Sequence, residues 1–233
     1  MLSLCLLATA AWGKEQKAIP VVRWAEGHSG CTFSHDDDGK DRYGLWKDDL
    51  GVTLAVDTQE LQQTRFRREH LFALHLTVRY RGNGSQQFDP AGIRLEFDSH
   101  FKVVHPALKL QDISTSLQND ADELSDQYNR DLRKHPEQTE EQRQAKEALV
   151  QASEKDVTEM QEFVTAHGLR SGTLDAGNRE ISGWLFFSTK DKWIGGWKKQ
   201  EQFVLRVPLN DLLLEFPFEL PPKGGEMTLR KRP

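Results

Sequence analysis

The stretch that decides the fold is FALHLTVRYRGNG, residues 72–84. Apolar and polar side chains alternate along it, which predicts a β-strand with one face in the core. Glycine and asparagine follow at residues 82–84 and predict a turn, because both residue types accept a positive φ. The odd-numbered side chains of the strand are expected mostly to face water. The even-numbered ones, expected in the core, are Phe72, Leu74, Leu76, Val78 and Tyr80.

The same period of two recurs on both sides of this strand. It occurs upstream at 52–56 and downstream at 93–97, and then again at 181–187, 203–207 and 214–220. Residues 181–187 carry large apolar side chains on both faces, so this strand is expected to be covered on both sides. Pro217 predicts that the last strand lies at an edge or a bulge, since proline cannot donate a ladder hydrogen bond.

Between residues 112 and 168 the period changes to that of a helix. Pro136 is expected to end a first helix, because proline disfavours helical geometry in the residue before it. A second helix is expected from about Thr139 to Gly168, where a glycine suits the C-terminal cap. The short connection predicts an antiparallel helical hairpin. The apolar stripe of the first helix is Ile113, Leu117, Ala121, Leu124, Tyr128 and Leu132.

These patterns predict a mainly β fold. The expected architecture is an immunoglobulin-like antiparallel two-sheet sandwich with an inserted antiparallel α-helical hairpin. The alternation of strands and helices that builds a parallel sheet is missing from the sequence. The expected boundaries are the first part of the sandwich with a polar N-terminal loop at 14–111, the hairpin at 112–168, the second part at 169–220 and a loose tail at 221–233.

Composition and charge limit the classes of function. The 233 residues are 37% hydrophobic and 29% charged, which suffices for one core. A net charge of −5 gives no basic field, so no nucleic-acid partner is predicted. No stretch approaches the roughly 20 apolar residues of a membrane-spanning helix.

The helical hairpin carries most of the negative charge. Residues 112–167 hold 14 acidic and 6 basic side chains, a net of −8, whereas the rest of the chain has a net of +3. The acidic hairpin is therefore the expected surface for a protein partner, and a solvated helix face is the alternative.

Residues 1–13, MLSLCLLATAAWG, have the outline of a secretory signal peptide. An apolar run from Leu2 to Ala11 leads into small-x-small triplets, and polar sequence begins at Lys14. No lysine or arginine precedes the run, and a buried N-terminal segment is the alternative. Export is expected, which predicts an extracytoplasmic protein, periplasmic or secreted. Cys31 would then be the single cysteine of the mature chain, so it is expected to be buried, metal-bound or free to pair with another molecule.

Several segments follow one another in an order that resembles a family. They are TVRYRGNG (77–84), FDP (88–90), TLDAG (173–177) and ISGWLFF (181–187). The order resembles bacterial secreted immunoglobulin-like domains of unknown function, which are similar in outline to telokin-like extracytoplasmic sandwiches. The resemblance covers less than half of the chain and the helical hairpin departs from it. It implies a fold and an extracytoplasmic setting and assigns no catalytic residue.

The segment 28–41 is rich in metal-ligating residue types. Imidazole, thiol and carboxylate groups on one flexible loop are able to converge on Zn²⁺ or another transition metal. Asp36-x-Asp38-Gly39 also resembles the middle of a calcium loop, although Leu45 holds the position of the closing carboxylate. A polar loop without an ion is the alternative. The candidate metal ligands are His28, Cys31, His35, Asp36, Asp38 and Asp41.

A second candidate site lies in the segment 190–199. Trp193 and Trp197 flank a pair of glycines, and four lysines surround them. Exposed tryptophan beside lysine is able to bind a sugar ring or a bilayer surface. The alternative is that both rings fold back and cap the end of the sandwich.

The sequence carries no recognised catalytic motif. It contains neither a G-x-S-x-G elbow nor an H-E-x-x-H helix. The leading hypothesis is a non-enzymatic extracytoplasmic binding or structural protein that acts through protein–protein contacts. One alternative is a calcium- or transition-metal-binding module that uses the loop 28–41. The other is a small thiol-dependent enzyme or hydrolase with Cys31 as its nucleophile.

Overall fold

A computed structural model describes residues 19–37, 39–63, 70–98, 103–189, 196–197, 200–221, 223 and 227–228. For 196–197 and 227–228 it describes the backbone and not the side chains. The segment interpreted as a signal peptide, 1–13, lies outside the described residues.

Strands precede and follow one pair of long helices. The helices are α1 (Thr58–Leu61), α2 (Leu110–Lys134) and α3 (Glu140–His167). The strands are β1 (Val21–Arg23), β2 (Cys31–His35), β3 (Lys40–Lys47), β4 (Leu50–Asp57), β5 (Leu71–Tyr80), β6 (Gln86–Phe88), β7 (Arg94–Phe97), β8 (Val103–Pro106), β9 (Gly172–Leu174), β10 (Glu180–Ser188), β11 (Gly196–Trp197), β12 (Glu201–Leu209), β13 (Leu212–Leu220) and β14 (Met227–Thr228).

Two five-stranded sheets make up most of the β structure. Sheet A has the strand order β1-β13-β12-β7-β8, and sheet B has the order β10-β5-β4-β3-β2. Strand residues exceed helical residues, 42% against 33%, which confirms a mainly β chain with two long helices. The pairings are antiparallel except that of β1 with β13, which is parallel. The predicted antiparallel pairing of the sheets is therefore confirmed. The parallel pair has no signal in the sequence, because β1 is only three residues long and shows no period.

The facing sides of the two sheets form one hydrophobic core. Phe72 of β5 stacks on Phe203 of β12 with 5.7 Å between ring centroids, which joins the two layers. Phe203 also stacks on Phe97 and Phe218, at 4.9 and 5.3 Å. The even-numbered residues from Phe72 to Tyr80 are at most 6% exposed, which confirms their predicted orientation.

The helical hairpin, α2 and α3, packs on the outer face of sheet B. Leu71 and Ala73 of β5 lie under it and are at most 5% exposed, although Ala73 is among the odd-numbered residues expected mostly to face water. The expectation fails at this end of β5 because the helices replace the solvent. Strand β10 is covered on both faces, as predicted: Leu185 and Phe187 join the core between the sheets, and Phe186 joins the cluster under the hairpin.

Both ends of the hairpin are hydrogen-bonded to the free edge of β10. The Leu108 N–H, just before α2, donates to the carbonyl of Phe186 at 2.8 Å. The Leu169 N–H, just after α3, donates to the carbonyl of Trp184 at 2.9 Å. Strand β10 is an edge strand of sheet B, so these bonds satisfy backbone groups that an uncovered edge would expose.

Pro217 lies within β13 but beyond the reach of β1. Strand β1 pairs with residues 213–215 of β13 and ends before Pro217. The backbones of Leu213 and Glu215 form hydrogen bonds towards β1. Pro217 faces the same side, where no described strand would accept the N–H that proline lacks.

At the C-terminus, Met227–Thr228 pairs with Gly196–Trp197. No helix of the described chain combines the length and the hydropathy required to cross a membrane.

At Gly183 the backbone of β10 lies close to the C-terminal end of the hairpin. A Cβ at this position would lie 2.8 Å from the carbonyl oxygen of His167 and from the backbone N and Cα of Leu169. These are backbone atoms fixed by the helix end and the hydrogen bond of Leu169, so they have little freedom to move aside.

We therefore expect Gly183→Ala to lower the free energy of unfolding by about 1–3 kcal/mol, the usual range for overpacking. Urea unfolding followed by circular dichroism measures this change. Gly177→Ala is the matched control, because its Cβ would meet its nearest atom at an ordinary 3.4 Å. Equal unfolding free energies of the two variants would contradict the close contact at Gly183.

Candidate functional site

A cavity lies where β2 and β3 of sheet B face β12 and β13 of sheet A. Its volume is about 620 Å³, and we call it the edge cleft. Aromatic side chains and carboxylates both line it. The lining residues are Arg23, Trp24, Glu26, Phe33, His35, Asp41, Tyr43, Asp98, Gln200, Gln202, Phe203, Val204, Pro217, Phe218, Glu219 and Lys223.

The pairing of β2 with β3 brings His35 and Asp41 together at the mouth of the cleft. The two residues are directly opposite in the antiparallel register, and His35 Nδ1 lies 2.6 Å from Asp41 Oδ1. The same register sets Phe33 opposite Tyr43 and Cys31 opposite Leu45, which is 1% exposed. The inward side of β2 therefore runs from the core at Cys31 to solvent at His35.

Aromatic rings continue from the core into the cleft. Phe218 stacks on the buried Phe203, and Tyr43 lies 6.5 Å from Phe218. Trp24 packs edge-on against Tyr43 at 4.9 Å, and Phe33 contacts Tyr43 at 5.2 Å. Phe33 is 44% exposed, so the aromatic series ends in a solvent-accessible ring.

The edge cleft has an excess of negative charge. Its lining holds four carboxylates, those of Glu26, Asp41, Asp98 and Glu219, against two cationic side chains, a net of −2 with His35 neutral. Arg23 also binds Glu215, at 3.0 Å, on the outer face of sheet A. Burial raises the pKa of Tyr43 well above its ordinary value, and the charges of Asp41 and Glu219 raise it further.

The backbone of β2 adds a second binding feature beside the cleft. The Gly30 carbonyl accepts from Trp46 N–H, and the Asp36 N–H donates to Lys40, so the even-numbered residues bond towards β3. The odd-numbered residues Phe33 and His35 consequently direct N–H and C=O away from β3. In the described chain, β2 is the last strand of sheet B and no strand pairs with that side.

The structure separates most of the predicted metal ligands. The prediction of a loop over 28–41 is wrong, since Cys31–His35 is a strand and successive side chains point to opposite faces. Cys31 and His35 share a face but are four residues apart, about 13 Å along the strand. Asp36 pairs with Arg42, His28 is an exposed turn residue, and Asp38 lies outside the described residues.

No group of three or more metal-ligating side chains converges among the residues for which the structure gives positions. The calcium or zinc hypothesis stays a prediction. Of the second candidate site, Trp193 lies outside the described residues and Trp197 is described only by its backbone in β11.

The helical hairpin, the other predicted surface, is polar outside its own contact. Leu149 is 62% exposed and is the large apolar side chain that the described hairpin presents to solvent. The tip is held by polar contacts: Asp131 binds Lys146, and the Gln138 amide donates to Asp131 at 2.9 Å.

The sequence pattern did not identify Trp24, Phe33 and Tyr43 as site residues. A signal was present for one of them, because Cys31, Phe33 and His35 alternate with Thr32 and Ser34. Trp24 and Phe218 line the same cleft although they are far apart in the sequence, and no local pattern indicates that they do.

Comparison of the chain with protein-family models, with curated proteins and with solved structures finds no match in any of the three. The function of the edge cleft therefore has to be inferred from its own side chains and backbone.

Tyr43 gives a test of the electrostatics of the cleft. Because its folded-state pKa is raised, the unfolded phenol ionises first, and stability is lost as pH rises above about 10. We expect the free energy of unfolding of Tyr43→Phe to fall less steeply with pH than that of the wild type. The difference in slope is at most about 1.4 kcal/mol per pH unit, the limit for one proton. Urea unfolding between about pH 9 and 11 measures it.

Tyr128→Phe, on the helical hairpin, is the control for the loss of a tyrosine. Parallel pH dependences for wild type and Tyr43→Phe would show that the phenol of Tyr43 is not held neutral by its surroundings.

Proposed function

We propose that this chain is a non-enzymatic extracytoplasmic binding protein that acts through protein–protein contacts. Its binding surface is the edge cleft together with the edge of β2 that no described strand covers. An extended segment of a partner protein adds to sheet B as a further strand and places alternate side chains in the cleft. The observation that carries this proposal is the edge of β2, which no described strand pairs with, beside a 620 Å³ aromatic cavity.

The backbone geometry supports strand addition. Phe33 and His35 each offer one outward N–H and one outward C=O, spaced as a neighbouring strand requires. An exposed strand edge is a template for pairing with another chain, and peptide-binding domains use it in this way. Side chains of an added strand alternate between its two faces, so every second one would lie beside Phe33 and His35.

The chemistry of the cleft supports a basic partner segment. Carboxylates such as Asp41 and Glu219 attract lysine and arginine, and the faces of Trp24, Phe33 and Tyr43 attract the same cations. The stems of lysine and arginine are apolar and suit an aromatic surface. The net charge of −8 on the helical hairpin, residues 112–167, acts in the same direction, so the hairpin stays our proposal for a second contact with the partner.

The placement of Cys31 supports binding over thiol catalysis. Its side chain packs against the core opposite Leu45, and His35 lies about 13 Å away along the strand. A nucleophile and its base need hydrogen-bond contact, about 2.6–3.2 Å. The imidazole of His35 instead contacts Asp41.

The extracytoplasmic setting is proposed from the sequence of residues 1–13, with its apolar run followed by small residues and then by Lys14. We also propose that the two packed sheets are an immunoglobulin-like sandwich. Two five-stranded sheets that share one core support this proposal.

A proline at position 35 tests strand addition. His35→Pro removes an outward N–H and no ladder bond to β3, and proline is tolerated at such edge positions. His35→Ala is the matched control, because it loses the same imidazole and keeps the N–H. We expect His35→Pro to bind a cognate peptide about tenfold more weakly than His35→Ala, roughly the effect of one lost hydrogen bond with its unpaired partner.

The probes are fluorescein-labelled decapeptides in which threonine alternates with lysine, glutamine or glutamate. Fluorescence anisotropy with the full chain gives their affinities. We expect the order lysine, glutamine, glutamate from tightest to weakest, and an affinity for the lysine peptide that falls as salt rises. Equal affinities for the lysine and glutamate peptides, no binding of any peptide, or equal affinities of the two His35 variants would each overturn the proposal.

A further inference from the structure

A second cavity lies on the outer face of sheet B, on the opposite side of the sheet from the edge cleft. Its volume is about 270 Å³, and we call it the outer groove. Cross-strand register places Arg42, Ala55, His75 and Trp184 in one row across four strands. The lining residues are Lys40, Arg42, Thr53, Ala55, Asp57, His75, Thr77, Arg79 and Trp184.

Three polar side chains on the floor of the outer groove, those of Thr53, Thr77 and His75, have no hydrogen-bond partner among the described residues. Thr53 and Thr77 are cross-strand neighbours, and neither hydroxyl is hydrogen-bonded there. The imidazole of His75 contacts the ring of Trp184 edge-on at 5.4 Å and makes no hydrogen bond to a described residue. Half-buried donors and acceptors in this state are matched to a polar ligand or to water.

Positive charge surrounds this floor. The lining has three cationic side chains against one carboxylate, Asp57, a net of +2 with His75 neutral. Lys40 lies 3.5 Å from Asp57, whose other oxygen accepts the N–H of Glu60, so that carboxylate is already bound on both sides. Arg79 donates its Nε–H to Glu180 at 2.7 Å, and its two Nη atoms have no partner among the described residues.

The pKa of His75 is also affected by the burial and the positive charge of the outer groove. Burial lowers the pKa of His75, and the charges of Lys40 and Arg42 lower it further against the opposite effect of Glu180. The ring is therefore neutral near pH 7 and is able to donate one hydrogen bond and to accept another.

Trp184 forms the apolar side of the outer groove, next to the helical hairpin. Its carbonyl accepts the Leu169 N–H, and its ring packs against Phe163 of α3 with 6.1 Å between centroids. The hairpin thus fixes one wall of the groove, while β3 supplies Lys40 and Arg42 on the other side.

We propose that the outer groove binds a single acidic sugar residue, a ring that carries hydroxyl groups and one carboxylate. The fork of Arg79 binds the carboxylate, and the hydroxyls of the ring bond to Thr53, Thr77 and His75. The apolar face of the ring packs on Trp184, as sugar rings do on aromatic side chains. A cavity of 270 Å³ lies below the range of about 300–1,000 Å³ typical of drug-sized ligands, which favours one sugar ring over a longer occupant.

The test uses the full chain and three probes: D-glucuronate, D-glucose and inorganic phosphate. Titration followed by NMR measures the affinity for each. Glucose tests the ring without the charge, and phosphate tests the charge without the ring. We expect glucuronate to bind at least about tenfold more tightly than either, because each of the other probes loses one kind of contact.

Two variants locate the binding. Arg79→Gln and Thr77→Val are each expected to weaken glucuronate binding by about five- to tenfold, from the loss of one charge-assisted or one neutral hydrogen bond. Arg81→Gln is the matched control, since Arg81 lies over the ring of Trp46 and does not line the groove. It is expected to leave glucuronate binding unchanged.

Phosphate binding as tight as that of glucuronate would reduce the groove to a simple anion site and overturn the sugar assignment. Absence of glucuronate binding at about 10 mM, far weaker than ordinary ligand affinities, would overturn the proposal entirely. Glucuronate binding that is the same in wild type, Arg79→Gln and Thr77→Val would place the ligand elsewhere and would also overturn it.

A glucuronate-terminated oligosaccharide distinguishes a free sugar acid from the end of a polysaccharide. An affinity equal to that of the monosaccharide supports recognition of a terminal residue, whereas loss of binding supports a free sugar acid as the ligand.

Discussion

The pairing of β5 with β10 is the contact on which the rest of the structure depends. Its inner face contributes Phe72 and Phe187 to the core between the sheets, and its outer face contributes Ala73 and Phe186 to the cluster under the helical hairpin. The hairpin buries little apolar surface outside that cluster. Val150 is the one hairpin side chain that is less than 10% exposed and does not belong to the cluster. Helical hairpins are marginal in water without such tertiary packing, so the hairpin depends on a strand pair that is buried on both faces.

Because the hairpin packs beside β10, the two edge strands of sheet B, β10 and β2, have different surroundings. At β10 the edge is closed, because the segments at both ends of the hairpin donate hydrogen bonds to its carbonyls. At β2, the opposite edge strand of sheet B, no described strand forms hydrogen bonds with the outward backbone groups. The aromatic series from Phe203 to Phe33 runs towards that edge, so the core extends to the place where we propose that a partner strand pairs.

Local signals account for the parts of the fold that the sequence predicts. The break at Pro136 and the cap at Thr139, which forms a capping box with Gln142, define the helices, and strict alternation defines β5. The edge cleft has no local signal of this kind, because Trp24 and Phe218 are brought together by the pairing of β1 with the distant β13. The ligand chemistry of the segment 28–41 suggests an ion site, but Cys31–His35 within it is a strand, which places Cys31 and His35 too far apart to share an ion.

The opposite charges of the edge cleft and the outer groove follow from the period of a single strand. In β3 the odd-numbered Asp41 and Tyr43 line the cleft, and the even-numbered Lys40 and Arg42 line the groove. A shift of one residue in the register would exchange the two sets and bring cations into the aromatic cleft. Leu45, buried in the core opposite Cys31, opposes such a shift, because moving it to the outer face would expose a large apolar side chain. One core leucine, which lines neither cavity, therefore helps to set the chemistry of both proposed binding surfaces.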